Sequence, residues 1–329
     1  MRLPAGWALV GFVALLLAAI LGVQWADDGY LRTLLALALI NVMLAVSLTL
    51  TNGFTGLFSL GHPAFMTIGA YVAVVLTYPG RRKGFMMPEL PDWLMGLEWP
   101  LWPALLVAGF AAGVMALLVG LSVLRLRTHY LAVATLGLII IVEGLAVNLD
   151  GITRGGRGIN GIPRIADLWT VGACCLLAVV VAWRLKHASL GRAMLAVREN
   201  EMAARCFGID PFRLKVMAFV IGAVFAGLGG ALIPHVIAVL TPGSFGILLA
   251  FNLVAVVVVG GQGSIVGAVL ISLAISIVTE FIRPLEETTQ LFGLTQILIA
   301  GALIVVLLWR PRGLFGVGEP LIDPGRRFR

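Results

Sequence analysis

Residues 185–213 read LKHASLGRAMLAVRENEMAARCFGIDPFR. Apolar runs flank the stretch at 167–184 and 214–239, each close to the ~20 helical residues that cross ~30 Å of hydrocarbon. Within it, Leu190, Met194, Val197, Ala204 and Phe207 fall at three- and four-residue steps, in a row that only Glu201 interrupts. That spacing predicts one helix over about 189–207 with a single apolar face. Arg192, Arg198, Glu199, Asn200 and Arg205 fill the remainder. Gly208 supplies a left-handed stop, and Asp210-Pro211 can cap and open the following run. The segment reads as a short amphipathic helix lying along a membrane surface between two crossings.

Working outward, apolar runs recur at about 5–25, 34–51, 58–78, 101–124, 129–147, 167–184, 214–239, 244–260, 264–282 and 290–309. The 329 residues are 60% hydrophobic and 12% charged, against about 25% charged in a soluble domain. A bilayer core offers the backbone no water, so runs of this length must be helices. They are too long for the ~9–11-residue strands of an outer-membrane barrel. The expected fold is all-α, a polytopic helical membrane protein of about 8–10 transmembrane helices forming one transmembrane domain over 1–329. The third run, within GFTGLFSLGHPAFMTIGAY, carries Gly, Ser, His and Pro and reads as a broken or re-entrant helix. Only Gly261-Gln262-Gly263 separates the eighth and ninth.

Charge sets the sidedness. With both termini cytoplasmic, fifteen Lys and Arg fall inside and eight outside, whereas acids fall five inside and nine outside, with Glu143 and Glu280 within the runs. The inner face then carries +10 and the outer face −1, as the positive-inside tendency requires. This accounts for the whole surplus of +7 without a nucleic-acid partner. The first run is longer than a signal peptide's 7–15-residue core and lacks a small-x-small site, so it is expected to be a retained helix.

Chemistry is sparse. Cys174, Cys175 and Cys206 form no metal-ligand spacing or disulfide framework. No GxxxxGK[ST] motif occurs, so the chain has no phosphate-cradling loop, and neither a ligand cluster nor a nucleophile–base pair appears. No catalytic residue, metal or cofactor is expected of the chain. The polar residues within the runs are Asn41, Ser59, His62, Thr67, Glu143, His235, Asn252, Gln262 and Glu280, of which Asn41, Ser59, His62, Thr67, Glu143, Asn252 and Gln262 are the pathway candidates. Such groups are costly in hydrocarbon and usually face protein or a cavity. Glu280 has Arg283 one turn on and reads as a membrane-edge ion pair. Glu143 lies roughly 21 Å along its helix at 1.5 Å per residue, with no charged neighbour within a turn. It reads as paired to another helix or lining the pathway. Ser59 to Thr67 read as pathway lining or as caps on a broken helix, and Asn252 and Gln262 as packing or pathway. The outer loop DGITRGGRGINGIPRIA places Arg154, Arg157 and Arg164 against the charge rule. They await either neighbouring acids or carboxylates on a docking partner.

Beside these readings, Glu201-Met202-Ala203-Ala204 through Gly208 resembles the acidic-x-Ala-Ala-x-x-x-Gly signature in the cytoplasmic loop of ABC-importer permeases. More specifically, GRAMLAVRENEMAARCFGIDPFRLKVMAFVIGAVFAGLGGAL resembles the branched-chain amino acid permease family. So do GFTGLFSLGHPAFMTIGAY at 53–71, GGRGINGIP at 155–163, VVVVGGQGSIVGAVL at 256–270 and RPRGLFG at 310–316. The resemblance implies the ABC-importer permease fold in the bacterial cytoplasmic membrane. It implies a second homologous permease chain in a heterodimer, two ABC ATPase subunits holding ATP and Mg, and a soluble substrate-binding protein. It assigns coupling to the ATPases to Gly191, Arg192, Arg198, Glu201, Ala203, Ala204 and Gly208, whereas docking of the binding protein at Arg154 and Arg157 is a hypothesis from their charge alone. The cargo stays open between branched-chain or related small amino acids and urea or short amides. A stand-alone ion-coupled carrier, with Glu143 and His62 as proton sites, is the reading from a different class.

Overall fold

The computed structural model describes residues 6–126, 128–290, 293–310 and 313–316. Arg2, Arg127, Arg312 and the basic residues beyond 316, which enter the charge count above, lie outside the described residues. In chain order the helices are α1 (Gly6–Ala26), α2 (Gly29–Leu48), α3 (His62–Thr77), α4 (Gly80–Met86), α5 (Asp92–Met95), α6 (Leu101–Val123), α7 (Thr128–Asn148) and α8 (Asp150–Thr153). They continue with α9 (Leu168–His187), α10 (Ser189–Glu199), α11 (Glu201–Cys206), α12 (Pro211–Ile237), α13 (Ile247–Gly260), α14 (Ile265–Thr289) and α15 (Leu294–Trp309). Two-residue strands β1 (Ile159–Asn160) and β2 (Val239–Leu240) pair antiparallel.

The ten apolar runs correspond to ten helices. Among the described residues eight segments are long and apolar enough to cross a membrane, and α3 and α15 are shorter apolar helices. The third run is broken as expected: α3 starts only at His62, with Pro63 in its first turn. Residues 56–61 ahead of it are non-helical.

The chain forms two compact units, each gathered from separate stretches. One comprises Met1–Gly56, Cys175–Pro211 and Phe251–Arg329; the other comprises Leu57–Cys174 and Phe212–Ala250.

In the first unit α2 is central, packed along α14 and beside α1. Asp28 caps α2 by accepting from Tyr30 N at 2.8 Å, and its second half is continuously buried. Past Leu48 the helix widens into a π-helical turn, Thr49–Gly53. Ser47, Thr49 and Thr55 hydroxyls donate to the Leu44, Ala45 and Thr51 carbonyls, all under 3 Å. This back-bonding loosens helices. Ser264 caps α14 through Gly267 N at 3.0 Å. Glu280 and Arg283 pair at 3.4 Å, the expected membrane-edge ion pair.

In the second unit α3 packs against α6, α7 and α12, and small residues set the spacing. Ala104, Ala108, Ala112, Ala116 and Gly120 form one buried stripe of α6 at four-residue intervals. Gly227 sits so close to this stripe that a Cβ there would lie 2.5 Å from the Ala112 methyl. A Cβ on Gly69 would lie 2.6 Å from Gly227 Cα, and one on Gly230 would lie 2.5 Å from Met66 Cα. Phe65 and Phe219 stack edge-to-face at 5.3 Å. The glycine-rich Ala226–Ala231 run thus serves close packing, the usual membrane device.

Candidate functional site

The helix expected over 189–207 is two helices, α10 and α11, broken at Asn200. Asn200 is extended (φ −158°, ψ 106°) and its Oδ1 accepts from Ala203 N at 3.0 Å. An Asn side chain competes with the backbone inside a helix and favours the cap, and the periodicity reading lacked that competition. The apolar row is correspondingly split. Gly191, Met194, Val197 and Ala204 are buried, but Leu190 is exposed and Phe207 is 85% exposed. Met202 joins it on the surface at 72%. Gly208 has φ +76° and ends α11, with Ile209 N donating back to Ala204 O at 3.2 Å.

The turn from α9 into α10 is tight. A Cβ on Gly191 would fall 2.8 Å from the Leu185 carbonyl carbon, and Arg192 Nη1 donates to His187 O at 2.8 Å. Glu201 pairs with Arg205 at 2.9 Å. Arg198, at the far end of α10, reaches two other elements through one nitrogen. Its Nη1 donates to Gly53 O at 2.7 Å and to Gln262 O at 2.8 Å. Lys186 Nζ donates to Gly263 O at 2.5 Å and lies 5.9 Å from the Phe54 ring centre. Partial burial pulls the Arg198 guanidinium below its ordinary value, with the Glu199 charge opposing. Arginine starts so far above neutrality that it stays charged.

The pathway candidates divide between the units. Ser59, His62, Thr67 and Glu143 lie in the second; Asn41, Asn252 and Gln262 lie in the first. Ser59, His62 and Thr67 are buried. Leu60 N donates to Thr135 Oγ1 of α7 at 3.0 Å and Gly61 N to Ser59 Oγ at 3.3 Å, so the unwound backbone is partly satisfied by hydroxyls. Thr67 donates to Pro63 O at 2.9 Å. Glu143 is half-buried, facing Gly243, where a Cβ would lie 3.6 Å from its Oε1. Asn41 Nδ2 approaches Ser276 Oγ of α14 at 3.4 Å. Gln262 is exposed in the turn joining α13 to α14. His235, also singled out, is fully buried between Thr77 Oγ1 and Ala231 O, both at 2.7 Å.

At the opposite end of α3 the loop bearing Arg154 and Arg157 is held by the β1–β2 pair and by Tyr78 Oη donating to Asn160 O at 2.9 Å. Arg154 has φ +63° and lies 5.8 Å from the Phe85 ring centre. Arg157 is exposed. Among the described residues neither forms an ion pair. Glu98 instead accepts from Gly80 N at 2.5 Å. Lys83, fully buried, donates to the Leu94 and Leu97 carbonyls. Burial pulls the Lys83 ammonium below its usual value, and Glu98 pushes back.

Residues 30–308 match the family described as branched-chain amino acid transport system / permease component. The chain belongs to this family. It is 31% identical over 318 residues to the high-affinity branched-chain amino acid transport system permease protein LivM of Escherichia coli K12, covering 86% of this permease and 69% of the relative. It is 24% identical to LivH of the same organism over 84% of the permease and 91% of the relative. It is 25% identical to BraD of Pseudomonas aeruginosa over 84% and 92%. No solved structure matches the permease.

Several residues of this permease carry contacts that sequence reasoning passed over. Lys186 counted only as a topogenic charge, Gly53 as the start of a shared stretch, Gly263 as part of the separator between two runs, and Thr135 as part of an apolar run. Nothing in local periodicity marks them, because their partners lie far along the chain. The fivefold family resemblance, which places 53–71 and 256–270 among the shared stretches, was the available pointer to Gly53 and Gly263.

Proposed function

We propose that this permease is the channel-forming, non-catalytic subunit of an ATP-binding-cassette importer that carries branched-chain or related small amino acids across the bacterial cytoplasmic membrane. The observation that carries the reading is the similarity to LivM across 86% of the chain. In this reading the α10–α11 pair lies in the cytoplasm, with both termini on that side, and receives an ATPase subunit. Gly191, Arg192, Arg198, Glu201, Ala203, Ala204 and Gly208 form that coupling surface. Gly191 and Arg192 hold its angle to α9, Ala204 seats α11, and exposed Ala203 beside Met202 and Phe207 offers the small apolar patch that a partner covers.

A second permease chain completes the pathway as a heterodimer, two ATPase subunits bind ATP and Mg, and a soluble binding protein delivers cargo near Arg154 and Arg157. ATP-driven closure of the ATPases rocks the helices so that a cavity opens to one side and then the other. The buried Ser59–Thr67 stretch and Glu143, together with Asn41, Asn252 and Gln262, are the candidates for contact with the cargo. Irregular backbone at membrane depth survives where it is buried or lines a cavity, which favours the Ser59–Thr67 stretch.

Reconstitution tests the reading. Leucine uptake into proteoliposomes is expected only with both permeases, the ATPases, ATP and the binding protein together. Uptake by this chain alone under a proton or sodium gradient would overturn it in favour of an ion-coupled carrier. ATP-dependent uptake of urea with no leucine uptake would move the cargo and leave the mechanism standing.

A further inference from the structure

We infer that Arg198 and Lys186 are positioning residues for transport, a two-cation clasp through which displacement of the α10–α11 pair is delivered to the 261–263 turn and to the end of α2. The inference rests on the reading that an ATPase subunit docks on that pair.

The chemistry of the clasp starts from helix ends. The last carbonyls of a helix have no intrahelical partner and carry partial negative charge. At the end of α13 these groups are distributed among separate donors. Val259 O and Gly260 O accept from Leu314 N and Phe315 N at 2.9 and 3.3 Å. Gln262 O and Gly263 O, in the turn itself, accept from Arg198 and Lys186. Gly53 O, closing the π-helical turn after α2, accepts from the same Arg198 nitrogen. Lys186 therefore attaches the α9–α10 corner to backbone and Arg198 attaches the far end of α10, tying two elements at once.

Glycine makes the fit possible. A Cβ on Gly263, at φ +99°, would lie 2.8 Å from Arg198 Nη1; one on Gly56, at φ +69°, would lie 3.1 Å from Arg198 Cγ. One on Gly53 would lie 2.7 Å from Gly263 N. The missing methyl groups of Gly263 and Gly56 leave the slot that the side chain occupies, and the missing methyl group of Gly53 lets the two carbonyl-bearing segments approach each other. A charged donor on a backbone carbonyl is roughly twice as strong as a neutral one, and the planar guanidinium fixes direction where an ammonium does not. Only Gly191, Met194 and Val197 are buried along α10, so the clasp is a major attachment of that helix to the α2 and α13–α14 ends. A push on α10–α11 arrives at those ends through it.

The test uses the complete reconstituted transporter with Arg198→Gln, Arg198→Lys and Lys186→Gln, reading leucine uptake and ATP hydrolysis in the same vesicles. ATPase binding is read separately, including for Met202→Asp. Leucine taken up per ATP is expected to fall about tenfold in Arg198→Gln, the scale of one lost charge-assisted bond. Arg198→Lys, which keeps the charge but reaches one carbonyl, should fall between it and the parent, with Lys186→Gln milder than Arg198→Gln. Unchanged uptake per ATP in both Arg198 variants overturns the clasp alone. So does a parallel loss of uptake and hydrolysis that tracks lost assembly, which marks Arg198 as structural only. Undiminished ATPase binding by Met202→Asp overturns the docking reading, and the clasp with it.

Discussion

Gly69 has among the least room of any glycine in the second unit. Its α carbon faces the Gly227 backbone, an approach that only two glycines permit. Adding one methyl there must push α3 from α12, and overpacking of this kind costs about 1–3 kcal/mol. Gly144, on α7, has nothing within 4 Å of a built Cβ. Gly69→Ala is expected to lower the thermal midpoint of the detergent-purified permease by several degrees, while Gly144→Ala stays within about 0.5 kcal/mol of the parent. Equal midpoints for the two variants would mean that the glycine contact does not limit packing. The same scale shows where sequence reading stops. The Ala226–Ala231 run was legible as close-packing, because small residues in a membrane helix have one common use. Its partners, Met66, Gly69 and Ala112, were not, because nothing local to 226–231 names them.

Among the elements, the α10–α11 break has the clearest cause. Asn200 leaves the helix because its side chain supplies the acceptor that Ala203 N lacks. Asn200→Ala is expected to cost α11 about 1 kcal/mol, the usual worth of such a cap, seen as faster hydrogen exchange at amides 201–206. Asn200→Asp keeps an acceptor and should exchange like the parent. Equal exchange in all three proteins would show that Ala204 packing alone holds α11. The position of this segment, its amphipathic character and its glycine stop were all readable, since each is local. The break was not, because three- and four-residue periodicity tolerates a one-residue kink. Conversely, the interruption before α3 was readable from Gly61 and Pro63, residues that disturb a helix wherever they stand.

For the whole molecule, sidedness is the quantity charge counting supplies. Cys206 is exposed, whereas Cys174 and Cys175 are buried, so a membrane-impermeant maleimide has one reactive target. With the chain expressed without its partners, labelling is expected in inverted vesicles and not in intact spheroplasts. Labelling from outside would reverse the orientation on which the ATPase-docking reading depends. Family membership was legible from five ordered stretches and is matched over residues 30–308. The functional surfaces are only partly so. Charge patterning marked Arg154 and Arg157 as misplaced, and the structure adds that Arg154 lies over Phe85.

What the chain determined unaided is the type and order of its apolar helices. Hydrocarbon gives the backbone no partner but itself, so each apolar run must close its own hydrogen bonds within a few residues. Folding decided which runs meet, and through which atoms. Arg198 finds its carbonyls 145 and 64 residues away, and Lys186 finds its own 77 residues away. Such pairings depend on complementary small surfaces brought together from distant stretches, and no local rule of spacing encodes them.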